Sequence, residues 1–205
     1  MNYAAFSALL FDLDGVLIDT EDSYTQFWKI IHRKYVSNCP TFCEDIKGNT
    51  IEFILEKYIP ANKRFEVREQ FFEFEQEMSF CAYEGAVDAM KFFRKNGLKI
   101  AIVTSSDDVK MNSLKQQHPQ FYDLSDIILT ATDMKASKPA PDCWILAAKR
   151  LNVDIKDCIV IEDSINGLKS AKASSGYVIG VTTGLPQETV ALYADVVISE
   201  IKQLL

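Results

Sequence analysis

Ala8-Leu9-Leu10-Phe11-Asp12-Leu13-Asp14-Gly15-Val16-Leu17 is the stretch on which the reading of this chain turns. Ala8–Phe11 is a continuous apolar run, without the alternation of a half-exposed strand. That pattern fits a strand of a parallel sheet, buried on both faces. In open α/β sheets ligands bind beyond the carboxyl ends of the strands. Here that end carries Asp12 and Asp14, followed directly by Gly15.

Similar runs recur at Lys99–Val103, Asp126–Leu129, Cys158–Ile161, Tyr177–Val181 and Val196–Ile198. Helical stretches separate them. Ala86–Lys95 stops at Asn96-Gly97, and Pro141–Leu151 opens on Pro and Asp, both good helix boundaries. Ile165–Ser174 is rich in small residues and is expected to close at Gly176. Strand–helix alternation at this spacing implies right-handed crossovers and a doubly wound α/β fold. One interval breaks the rhythm. The segment between Phe11 and Lys99 is far longer than a crossover helix requires. Its part from Glu21 to Cys81 is helical in pattern, punctuated by Gly48 and Pro60. It reads as an inserted helical domain that rejoins the core near Tyr83–Gly85. Its aromatics (Phe27, Trp28, Phe53, Tyr58, Phe71 and Phe74) read as the insert's own core. The expected division is 1–19 and 84–205 for the α/β core and 20–83 for the helical insert.

The 205 residues are 48% hydrophobic and 25% charged, enough for a sizeable core without disulfide or metal staples. The net charge of -7 argues against a nucleic-acid backbone as partner. No apolar run approaches the roughly 18–20 residues that span a bilayer, and the first seven residues do not read as a signal peptide. Cys39, Cys43, Cys81, Cys143 and Cys158 lack framework spacing and read as reduced thiols of a cytoplasmic protein. Cys39 and Cys43 are read as ordinary thiols rather than metal ligands. A monomer is expected.

The chemistry gathers at the strand ends. Thr104-Ser105-Ser106 follows the second run, Ser137-Lys138-Pro139 follows the third after a short connection, and Glu162-Asp163-Ser164 follows the fourth. An Asp-x-Asp-Gly alone occurs in turns and calcium loops, and a lone lysine is usually solvated. Together at one sheet edge, these residues suit phosphoryl transfer. A carboxylate can attack phosphorus, but the phosphate's own charge repels it unless a hard divalent cation such as Mg²⁺ bridges the two. Further carboxylates hold that cation, while a lysine and hydroxyl or N–H donors neutralise the remaining oxygens. Ser106 and Ser164 are expected to cap the helices that follow them, and Asp142 to sit in a helix's first turn.

Phe11–Leu17 resembles the first motif of the haloacid dehalogenase (HAD) superfamily of phosphotransferases. Val103-Thr104-Ser105 resembles its second motif, Ser137-Lys138-Pro139-Ala140-Pro141-Asp142 its third and Ile161-Glu162-Asp163-Ser164 its fourth. Motif order and the helical insert agree, and the similarity is greatest to beta-phosphoglucomutases and the related sugar-phosphate and phosphoglycolate phosphatases. The resemblance implies a Rossmann-like parallel sheet with an α-helical cap, acting on a small phosphorylated metabolite. It implies Asp12 as nucleophile and metal ligand, and Asp14 as general acid–base whose backbone carbonyl binds Mg²⁺. Thr104 and the Ser105 backbone would bind phosphate, and Lys138 would pair with Asp12 and the phosphate. Asp163 and Glu162 would complete the metal site, and Gly15 would allow the turn into the cap. Thr20 at the hinge is a candidate substrate contact and equally a candidate hinge cap; Lys47, Asn49 and Thr50 in the cap are candidate substrate contacts, and Asn49 and Thr50 are equally candidates to cap a helix over Ile51–Tyr58.

Two other classes share part of this pattern. A phospho-acceptor receiver domain uses similar groups, but lacks a helical insert and carries its phosphorylated Asp after a later strand. A catalytically inactive binding protein on the same fold would not need every catalytic residue type present here. Within the family, the mutases carry an Arg just after a cap Gly-x-Ser. Here Gly48-Asn49-Thr50 is followed by Ile51. That favours a phosphatase, with a beta-phosphoglucomutase as the alternative.

Overall fold

The computed structural model describes residues 3–36 and 38–205, so Met1 and Asn2 of the N-terminal segment lie outside the described residues. The chain opens with β1 (Ala8–Phe11) and a short β2 (Ile18–Asp19). Then come helices α1 (Glu21–Tyr35), α2 (Phe42–Asp45), α3 (Ile51–Tyr58) and α4 (Arg64–Glu77). β3 (Cys81–Ala82) closes this insert by pairing antiparallel with β2, Ile18 opposite Ala82. The remainder alternates: α5 (Ala86–Lys95), β4 (Lys99–Val103), α6 (Asp108–Gln117), α7 (Pro119–Leu124), β5 (Ile127–Leu129), α8 (Asp142–Arg150), β6 (Cys158–Glu162), α9 (Ile165–Ser174), β7 (Tyr177–Val181), α10 (Gln187–Val190) and β8 (Val196–Ile198).

Among the described residues the main sheet has six strands in the order β5-β4-β1-β6-β7-β8, all parallel. β1 is central, and Leu10 faces Ala101 on one side and Val160 on the other. Its four side chains are fully buried, as the unbroken apolar run demands. Alternate residues feed two cores. Leu9, Phe11, Ile100 and Ile102 pack with Met90, Phe93 and Phe121 on one face; Leu10, Ala101, Val103 and Val160 pack with Trp144, Ala147 and Leu168 on the other. The fold is thus α/β with both sheet faces covered.

The insert holds a third core around Trp28, Ile31, Phe42, Ile51, Leu55, Val67 and Phe71. Phe74, read from the sequence as part of that core, bridges the two: it packs against the main core while its ring stacks on Phe27 of the insert at 4.8 Å. The other differences are small and local. The third run starts at Ile127, because the Asp126 carboxylate turns back to accept from the Ile100 N–H (2.7 Å). The α9 helix ends at Ser175, in the left-handed region at φ +72°, one residue before the expected Gly176. The N-cap of α6 is Asp107, which accepts from Val109 and Lys110 N–H, and not Ser106.

Candidate active site

The ends of β1, β4 and β6 lie side by side because those strands are neighbours in the sheet. Asp12 follows β1, and its N–H still donates to Ile161 O (2.9 Å), which extends the ladder one residue beyond the strand. Thr104 is held likewise by Leu129 O (2.9 Å). Both side chains are buried. Their backbones are therefore parts of the sheet edge rather than of mobile loops.

Lys138 is the centre of the buried charges. Its ammonium donates to Asp12 Oδ1 (2.5 Å), lies 3.8 Å from Glu162 Oε1 and sits 4.5 Å from the ring centroid of Trp144. It has no exposed surface. Burial alone would lower its pKa; Asp12 and Glu162 outweigh that and hold it above the ordinary lysine range. Burial pushes Glu162 up to about 8 against the pull of Lys138, with Asp12 adding to the rise. Burial, opposed by Lys138, also raises Asp12.

Asp12, Glu162 and Asp163 bring carboxylate oxygens within 4.8 Å of one another, all buried. One lysine shared among these carboxylates leaves excess negative charge in a low-dielectric pocket. The donors are all hard oxygens, so the chemistry of the set fits Mg²⁺. Two glycines make room for it. A Cβ at Gly15, where φ is +78°, would lie 2.1 Å from Asp163 Oδ2, and one at Gly167 would lie 1.2 Å from Glu162 Oε2. Ser164 caps α9 as expected, accepting from Gly167 N–H (3.1 Å), and its hydroxyl donates to Glu162 Oε2 (3.1 Å).

Asp14 lies a turn away and is gripped by three donors. Thr20 Oγ1 donates to Oδ1 (2.5 Å), Ser106 Oγ to Oδ2 (3.1 Å), and Lys110 Nζ to Oδ1. Thr20, for which the sequence left substrate contact and hinge cap equally open, occupies the N-cap position of α1 without a side-chain cap bond and lines the cavity, while the sequence did not single out Lys110. Lys110 is fully buried in α6, on the face that also carries Met111 and Leu114. That placement on an apolar face was the available signal.

A cavity of about 130 Å³ opens between these strand ends and the insert. Of the residues singled out in the sequence, Asp12, Asp14, Thr20, Asn49, Thr104, Ser105 and Asp163 line it, whereas Lys138 and Glu162 stand behind Asp12. Asn49 reaches the cavity, but its amide is engaged: Nδ2 donates to Asp45 O (3.1 Å) and Oδ1 accepts from Ser137 Oγ (3.1 Å). Thr50 is the N-cap of α3, accepting from Phe53 N–H. The Ser105 hydroxyl donates to Gly48 O (2.8 Å), tying the β4 end to the insert. The far wall comes from the insert: Tyr24, Trp28, Ile54, Phe71 and Glu75. Trp28 and Phe71 therefore serve both as core and as cavity wall.

The chain as a whole has counterparts among known proteins. Residues 6–175 match the family described as haloacid dehalogenase-like hydrolase. The probable pseudouridine-5'-phosphatase of Saccharomyces cerevisiae is 33% identical over 195 residues, covering 86% of this chain and 83% of that one. Hexitol phosphatase A of Escherichia coli is 26% identical over 202 residues, covering 95% and 91%. A crystal structure of beta-phosphoglucomutase from Clostridium difficile superposes with a TM-score of 0.79 at 26% identity, covering 98% of this chain and 93% of that one. With the family matched from β1 through α9 and relatives that are named phosphatases, the chain belongs to the haloacid dehalogenase-like hydrolases and is a phosphohydrolase of their sugar-phosphatase group.

Proposed function

We propose that the chain hydrolyses a small phosphate monoester, with Mg²⁺ and an aspartyl-phosphate on Asp12, and that segment 20–83 acts as a cap over a core formed by 1–19 and 84–205. The observation that carries this reading is Lys138, bonded to Asp12 at 2.5 Å and close to Glu162, directly behind the cavity. It holds Asp12 ionised and aimed at one position, as a nucleophile requires. Mg²⁺, held by Asp12, Glu162, Asp163 and the Asp14 carbonyl, would offset the charge repulsion between carboxylate and phosphate.

An Asp12 oxygen forms a bond to phosphorus while the bond from phosphorus to the leaving oxygen breaks. Asp14 gives its proton to that oxygen. Water then attacks the phosphorus, Asp14 takes up its proton, and the Asp12–phosphorus bond breaks to release phosphate. Thr104 and Ser105 contribute hydroxyl and N–H donors to the phosphate oxygens. The insert excludes bulk water and selects the leaving group.

A phosphatase is favoured over a mutase by the charges of the cap. A mutase must hold a second phosphate, a task suited to a bidentate guanidinium. Arg64 donates to Ile59 O and Glu56 O, and Arg68 lies 3.9 Å from Glu52. Neither lines the cavity; Ile51 stands at the position to which the resemblance assigns the mutases' Arg, and Lys47, which does line the cavity, would replace that Arg only in part. The relatives named for pseudouridine-5'-phosphate and hexitol phosphates point to a sugar or nucleoside monoester. No helix among the described residues is long and apolar enough to cross a membrane, which accords with a cytoplasmic monomer acting on a dissolved metabolite.

The test is phosphate release from p-nitrophenyl phosphate with and without Mg²⁺, alongside beta-glucose 1-phosphate supplied with glucose 1,6-bisphosphate. Mg²⁺-dependent phosphate release is expected. Rapid formation of glucose 6-phosphate without phosphate release would replace the hydrolase reading with the mutase one.

A further inference from the structure

The cap side of the cavity carries one polar group that the reaction steps leave unused. Glu75, near the end of α4, is 1% exposed and lines the same cavity as Asp12, Asp14 and Thr104. The Tyr24 hydroxyl donates to its Oε1. Its Oε2 is buried and has no hydrogen-bond partner. An unpaired buried oxygen of this kind costs about 1–3 kcal/mol, which is removed when a ligand supplies the missing partner.

The surroundings define that ligand. Tyr24, Trp28, Ile54 and Phe71 make the neighbouring wall aromatic and aliphatic, suited to a carbon skeleton. Lys110 is engaged with Asp14, none of the cap arginines Arg33, Arg64 and Arg68 lines the cavity, and Lys47 is the cation among its lining residues. A second phosphate or a carboxylate would therefore meet Glu75 without a guanidinium to offset it.

Building on the phosphohydrolase reading of this cavity, we propose that Glu75 is the specificity-determining residue of the cap, its Oε2 pairing with a hydroxyl of an uncharged polyol, sugar or nucleoside leaving group. A hydroxyl both donates and accepts, so it matches the carboxyl whether ionised or protonated. A phosphate ester without hydroxyls leaves Oε2 unpaired. Sites built to hydrogen-bond a hydroxyl reject such analogues more strongly than apolar pockets reject a missing methylene.

The experiment uses the full chain carrying Asp12→Asn, which binds without turnover. Calorimetry measures the affinities for ribose 5-phosphate, sorbitol 6-phosphate and phenyl phosphate, alone and combined with Glu75→Met or Glu75→Gln. The preference of the tighter hydroxylated ligand over phenyl phosphate is expected to fall by about tenfold in Glu75→Met, as for a buried ligand hydroxyl left without its partner. Glu75→Gln, which still offers a polar atom to a hydroxyl, is expected to retain that preference within about threefold. A purely structural role would weaken all ligands together and leave the ratio unmoved. That outcome, or equal loss of the ratio in both variants, would overturn the proposal. If Glu75→Met does not fold, a crystal structure of the Asp12→Asn chain with ribose 5-phosphate or sorbitol 6-phosphate decides the matter. A ligand hydroxyl within hydrogen-bond distance of Glu75 Oε2 supports the proposal, and its absence there refutes it. Turnover of p-nitrophenyl phosphate by the unaltered chain tests the phosphatase reading separately, so the two can fail independently.

Discussion

Lys110 and Asp14 form an ion pair between a helix position with no exposed surface and the carboxylate two residues beyond Asp12. Lys110 also lies 4.7 Å from the Tyr24 ring centroid, and Tyr24 in turn holds Glu75. One buried lysine thus connects Asp14 to the wall that the insert lends the cavity. Thr20 and Ser106 fix the other directions of the Asp14 carboxylate.

Lys110→Met should therefore slow turnover. The hydroxyls of Thr20 and Ser106 remain, but Asp14 loses its lysine partner and a fixed orientation. A fall in kcat of about 10–100-fold is expected, below the full contribution of a general acid–base group. Steady-state kinetics with p-nitrophenyl phosphate would check it; a kcat within threefold of the unaltered chain would remove Lys110 from the machinery.

Asp12→Asn should abolish turnover, because an amide cannot form the phosphoenzyme. Asp14→Asn should spare Mg²⁺ binding, since the backbone carbonyl is retained, and lower the rate by roughly 10²–10⁴-fold. Near-normal rates in either variant would reverse the assignment of roles.

Chelation by EDTA should stop catalysis, and Mg²⁺ should restore it where Ca²⁺, with its looser shell, does not. Gly167→Ala should raise the Mg²⁺ concentration needed for half-maximal activity by about 10–100-fold, because its methyl group would displace Glu162. Activity that is independent of metal would contradict the carboxylate cluster's role.

Glu75 gives a pH dependence of stability. Burial raises its pKa to about 8 from 4.5, against opposing pulls from Lys110 and Tyr24. The folded chain then binds a proton that the unfolded chain has lost, so this group's contribution declines as pH rises between those values. Glu75→Gln should melt close to the unaltered protein at pH 5 and above it at pH 8. A gain of about 1 kcal/mol would raise Tm by about 2–4 °C in a chain of this size. Thermal denaturation across that range checks it; the same difference at both pH values would count against a buried, proton-binding Glu75.

Much of the fold was legible because its signals are local. Ala8–Phe11, Lys99–Val103, Tyr177–Val181 and Val196–Ile198 are strands at the bounds their apolar runs suggested. Parallel strands buried on both faces write themselves as uninterrupted apolar runs, and no other element here competes for that pattern. The ends of those runs located Asp12, Thr104, Lys138 and Glu162, because a strand's last residue fixes where the next side chains emerge. Boundaries set by side-chain hydrogen bonds were less legible. Asp126 and Asp107 each shifted an edge by a residue through contacts that no periodicity records, and Ser175 rather than Gly176 closes α9 while its bounds stay as expected.

The sequence by itself determined the α/β class, the helical insert and the carboxylate–hydroxyl–lysine set at the sheet edge. Only the tertiary structure decided what faces that set from the other side. Lys110 reads as a surface lysine on a short helix, and Glu75 as one of several glutamates on an acidic one. Folding the insert over the strand ends buries both, pairs one with Asp14 and leaves an oxygen of the other unpartnered in the cavity. Spacing along the chain reports which face of its own element a residue occupies. Which element covers that face is fixed by packing between segments distant in sequence, and Lys110–Asp14 and Tyr24–Glu75 are contacts of that kind.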